Sequence, residues 1–133
     1  MSTLKVNNLQ NASGASNSTP AEIQSGRAKA WIKFSGATTG AILGSYGISS
    51  ISNPNTGEYT ITFSTAFANT NYAVVACSSG DPSIHRAIGL IDGGSSGSSE
   101  TTTTSCGMNN FSTSAGGSHE GSLEIGVAFF GDQ

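Results

Sequence analysis

From residue 27 onward, apolar and polar positions alternate along much of the chain. In RAKAWIKF, Ala28, Ala30, Ile32 and Phe34 fall on one side, and Lys29, Trp31 and Lys33 on the other. A period of two is the mark of a half-buried strand. EYTITF repeats it, with Tyr59, Ile61 and Phe63 inward and Thr60 and Thr62 outward. GSLEIGVAFFG does so again through Leu123, Ile125, Val127 and Phe129. Short strands are also predicted at AIL (41–43) and YGISSI (46–51), with Gly44 separating them. NYAVVAC at 71–77 is a continuous apolar run, which predicts a strand covered on both faces. HRAIGLID at 85–92 and TTTTSCGMNNF at 101–111, the latter weaker in pattern, bring the total to seven or eight strands.

The segments between these strands carry turn chemistry. SNPNTG, with Pro54 and Gly57, predicts a hairpin whose loop exceeds two residues. SSGDPS, GGSSGSSE and STSAGGSHEG have the composition of loops. Many short strands joined this way predict an all-β, antiparallel β-sandwich, jelly-roll-like, over residues 19–133. Ahead of the strands, Thr19, Pro20 and Glu22 spell a capping box and predict helical turns over 20–25, with Gly26 as the stop. Residues 1–18 form a separate unit by composition. Leu4, Val6 and Leu9 are isolated apolar residues there, and NASGASNS reads as a flexible linker. Leu4 and Val6 share one face of an extended segment too short to build its own core, so an attachment arm is expected.

Composition narrows the functional classes. Ser, Thr, Asn and Gly supply 65 of 133 residues, whereas charged residues are only 10% and the net charge is −3. That charge is too small for a disordered chain and of the wrong sign for a nucleic-acid surface. The 30 large apolar side chains after Met1 make a lean core for this length, which favours gaining further burial by oligomerisation. No apolar run reaches the ~20 residues of a membrane span, and the first residues lack a signal-peptide pattern, so cytoplasmic synthesis is expected.

Candidate chemistry is sparse. His85 and His119 lie apart from each other, and Glu120, Glu124, Asp81 and Asp92 are scattered carboxylates with no glycosidase-like pairing in the sequence. GGSSGSS lacks the Lys and following helix of a phosphate loop. Cys77 and Cys106, 29 residues apart, read as buried free thiols, a disulfide depending on geometry that spacing does not supply. Lys29, Trp31 and Lys33 share a strand face and form a candidate surface platform for a sugar or an interface. The expectation is a protein without enzymatic activity, metal or cofactor.

The span AEIQSGRAKAWIKFSG through GISSISNPNTGEYTITFSTAFANTNYAVVA resembles virion appendage proteins of tailed phages, notably those infecting cyanobacteria and other marine bacteria. LKVNNLQNASG at Leu4–Gly14, GRAKAW, the SI-to-GEY hairpin and NYAVV carry the likeness, which covers residues 3–77. The resemblance implies a tail-fibre-like homotrimer, located on the virion and assembled in the host cytoplasm. Its partners would be itself, other virion proteins and a host-surface glycan, without nucleic acid or membrane insertion. The chain has no long shaft repeat, so the alternative is a capsid decoration or head-fibre (cement) protein with no receptor role.

Overall fold

The computed structural model describes residues 2–10, 12–14, 17–36, 41–79, 86–91, 101–112 and 124–133. It is mostly strand, in antiparallel sheets, with one short helix. Two strands lie in the N-terminal unit, β1 (Leu9–Gln10) and β2 (Asn17–Ser18), followed by helix α1 (Pro20–Gly26). Eight more follow: β3 (Ala30–Ser35), β4 (Ala41–Tyr46), β5 (Ile48–Asn55), β6 (Glu58–Phe63), β7 (Ala73–Ser78), β8 (Arg86–Leu90), β9 (Ser105–Ser112) and β10 (Ile125–Phe130). They form two four-stranded sheets, in the orders β4-β3-β10-β7 and β5-β6-β9-β8.

The inward residues of both sheets build one core. From the first come Ile32, Phe34, Ile125, Val127 and Phe129; from the second come Tyr59, Ile61, Phe63, Cys106 and Met108. Aromatic rings meet between the sheets at two places, Phe34 with Tyr59 and Phe63 with Phe129, each with centroids 4.9 Å apart. The alternation in β3, β6 and β10 therefore reports the core face correctly. Thr60 departs from it, being buried although it points away from that face. Leu123 lies outside the described residues, as do His85, His119, Asp81, Asp92, Glu120 and most of the three long loops.

Several expectations change against the structure. The 41–51 region breaks at Gly47, not Gly44. Gly47 has φ +68°, and an added Cβ would lie 2.7 Å from the Lys29 carbonyl oxygen, so only glycine can carry the chain from one sheet into the other. Gly44 instead sits within β4, beside a bulge where the register passes from Lys33↔Gly44 to Phe34↔Ile42 and leaves Leu43 unpaired. The β5–β6 hairpin is tighter than expected. Pairing continues to Asn55↔Glu58, the loop is Thr56–Gly57, and Gly57 takes φ +73°. Pro54 lies where the register shifts between Ser52 and Asn55 on an edge strand, so its missing N–H costs no regular ladder bond.

β7 is an edge strand whose outer residues are open, with Val75 63% exposed, so the apolar run at 71–77 is covered on one face only. An apolar run reads the same whether its second face is covered by its own domain or left for another surface.

The N-terminal turns form as the capping box requires. The Glu22 amide donates to Thr19 Oγ1 at 3.2 Å, and the Thr19 amide donates to Glu22 Oε2 at 2.7 Å. Gly26 is the last helical residue, not a left-handed stop, and Arg27 follows in extended conformation. The NASGASNS segment is not wholly linker, since Leu9↔Ser18 and Gln10↔Asn17 pair around a turn with Gly14 at φ +71°.

Two glycines give contrasting expectations. Gly47→Ala should lose at least about 2 kcal/mol of stability, from the left-handed backbone and the clash together. Gly26→Ala, with nothing within 4 Å of the added carbon, should be neutral or gain up to ~1 kcal/mol. Urea denaturation of both variants measures the difference, and equal midpoints would refute the assignment of the sheet-to-sheet turn.

Candidate functional site

Two surfaces gather the residues singled out by sequence. The first is the arm. Residues 2–10 are exposed throughout, and Leu4, Val6 and Leu9 lie along α1, where they line an open groove of about 700 Å³ with Pro20, Ile23 and Arg27. Leu4 is 84% exposed and Ile23 44%, so the groove leaves these side chains open to solvent. α1 buries no residue of its own. The structure thus brings the three predicted arm residues together on one groove, outside the core.

The second surface is the outer face of the β4-β3-β10-β7 sheet. The predicted platform is only partly realised there. Trp31 and Lys33 project outward from β3, as alternation requires. Lys29 does not join them: it precedes β3, is buried, and its Nζ donates to the Gln24 carbonyl at 2.7 Å. That bond satisfies a carbonyl near the C-terminal end of α1, where a cation is favoured. Period-two reading correctly gives Lys29 the parity of Trp31, but the nearby helix end redirects a long, flexible side chain. Lys33 Nζ instead meets Glu124 Oε2 at 2.7 Å, both half exposed. Such an open pair contributes little to stability.

Register extends the Trp31 row across the whole sheet. Tyr46 pairs with Trp31, Trp31 with Ala128, and Ala128 with Val75. The next row is Gly44, Lys33, Gly126 and Cys77. Small residues on the central strand leave a shallow trough of about 590 Å³ between Trp31 and Val75. Sequence reasoning misses Tyr46, Val75 and Ala128, because membership of the face depends on which strands are neighbours. The other sheet is different outside: Ser50, Ser52, Thr60, Thr62, Ser105 and Asn109 follow one another in register beside Glu58.

Of the thiols, Cys106 is buried and Cys77 exposed, both free, so only one matches the expectation of burial. Among the described residues no three His, Cys, Asp or Glu side chains converge as metal ligands, and no helix is long and apolar enough to cross a membrane. Comparison with protein-family models, with curated proteins and with solved structures finds no match to this chain.

The buried acids of the core have a measurable consequence. Burial pushes the Cys106 thiol above its ordinary value of 9.0, and the Tyr59 and Tyr72 hydroxyls above 10.0. The unfolded chain therefore releases these protons at a lower pH than the folded chain does. Folding stability is fully present below the unfolded values and declines as pH rises beyond them. The urea midpoint should fall between about pH 9 and pH 11, and a midpoint that rose over that interval would contradict the buried placement of these groups.

Proposed function

We propose that this chain is a structural protein of a phage virion: a trimeric, tail-fibre-like appendage whose two sheets stack as a jelly-roll-like sandwich. The observation that carries the reading is the arm. Leu4, Val6 and Leu9 stay outside a core that is already closed by both sheets, and they lie in an open groove of mixed polar and apolar lining beside α1. Apolar side chains held out in this way suit docking onto another virion protein, where an extended backbone adds ladder bonds and alternate side chains fill pockets. The sequence resemblance over residues 3–77 supplies the class of particle.

The outer face of β5-β6-β9-β8 fits a host-surface glycan. Ser50, Ser52 and Asn55 on its exposed β5 edge both donate and accept hydrogen bonds, whereas Thr60 and Glu58 on the next strand are buried. A capsid decoration role with no receptor is the second reading. The same exposed arm would serve it, by fastening the chain to a capsid protein. Neither reading calls for a catalytic residue.

Deleting residues 2–16 tests the arm. The truncated protein should keep its strand-rich circular dichroism and cooperative melting, yet be missing from assembled particles. Incorporation at the occupancy of the full chain would place attachment on the sheets and overturn the role of the arm. A density map of the intact particle then separates tail from capsid.

A further inference from the structure

The two sheets carry opposite kinds of outer surface. One exposes Ser50 and Ser52 on its β5 edge and buries Glu58 and Thr60 beside them; the other presents Trp31 at 43% exposure, Tyr46 at 57% and Val75 at 63% around a floor of Ala128 and Gly126. In a chain with so few large apolar residues, three placed in one outward row are costly to leave in water. We infer that the outer face of β4-β3-β10-β7 is where copies of this chain meet. This inference rests on the oligomeric reading above and assigns it a surface.

Charge, size and shape point to a second copy as the occupant. The charges beside the trough are Lys33 and Glu124, of opposite sign and already paired at 2.7 Å. A neighbouring copy meets a paired, net-neutral surface there, whereas a strongly acidic or basic partner finds no net charge to bind. Four strands at ~4.8 Å spacing and six residues at ~3.3 Å rise give a face of roughly 19 by 20 Å. Its projected area, about 380 Å², is half of the ~800 Å² each partner contributes to a stable interface. A flat face-to-face pair would therefore be too small. The apolar surface continues around the β4 edge, through Ile42 and the bulged Leu43, 45% and 55% exposed. A face that wraps one edge suits a closed ring, in which each copy's trough receives its neighbour's edge.

Val75→Glu tests this, because the side chain closes the β7 end of the row and is the most exposed of its three large apolar groups. The wild-type protein should have the mass of a trimer by light scattering, and V75E that of a monomer. Trp31 is the only tryptophan, so its emission should move to longer wavelength in V75E. Alkylation of Cys77 should be slow in the assembled protein and fast in the variant. Ser50→Glu, on the opposite sheet, should keep the wild-type mass.

If the wild type is monomeric at micromolar concentration, the oligomeric reading fails and takes this inference with it. If the wild type is trimeric but V75E keeps that mass, copies meet elsewhere, so this inference alone is overturned. It is overturned equally if V75E keeps its mass and loses only particle or glycan binding. Should V75E not fold, Cys77 alkylation in the wild-type trimer decides without any substitution: slow labelling supports the interface, and fast labelling overturns it.

Discussion

The packing of rings around Phe63 is the contact on which the rest of the domain depends. Phe63 ends β6 in one sheet and meets Phe129 of the other at 4.9 Å, with the rings nearly perpendicular. Phe67 and Tyr72, from the segment that crosses between the sheets, lie at 4.8 and 5.5 Å from the same ring. Each such pair contributes roughly 0.5–1.5 kcal/mol beyond the area it buries. The cluster also sets the chain path. The Tyr72 hydroxyl donates towards the Thr102 and Ser105 carbonyls, fixing the entry to β9, and Gly131 must stay small because an added Cβ would lie 2.8 Å from Tyr72 Cβ. At the far end Phe34 and Tyr59 repeat the cross-sheet contact, and the Tyr59 hydroxyl donates to the Gly36 carbonyl at 2.9 Å.

Against this core the N-terminal unit is lightly held. α1 is stabilised by its own capping box and buries nothing, and the Lys29 amine, from just before β3, tethers it through the Gln24 carbonyl. A short helix without tertiary burial is marginal by itself. Its opening therefore costs much less than global unfolding, and arm and helix can rearrange on a partner while the sheets stay intact.

What is legible in the sequence follows from range. The Thr19–Glu22 box and the alternation in β3, β6 and β10 are local patterns, and the structure follows them. Local pattern favours Gly44 over Gly47 as the break because both are single glycines in one short-strand region, and what separates them, the left-handed φ at Gly47 and the Lys29 carbonyl beside it, is set by the tertiary fold. β7 reads as doubly covered because its edge position is a property of strand order. On the candidate surfaces, Leu4, Val6 and Leu9 stand out as apolar residues in polar surroundings. The Trp31 row does not, because Tyr46, Ala128 and Val75 come from three other strands.

Strand order also governs when the domain can form. β10 is the last of the described strands, yet it lies in the interior of its sheet, between β3 and β7. A growing chain that has reached only β9 holds β3 and β7 with no backbone between them, so their hydrogen-bonding edges stay open. Phe129, the other half of the central ring contact, is missing too. Among the described residues, the second sheet has its strands by Ser112, so synthesis separates an early sheet from a late one. During that interval the nascent chain is open to strand capture by its neighbours on the same message. Ribosomes spaced closely enough to bring copies together would turn that exposure into a route to co-translational pairing.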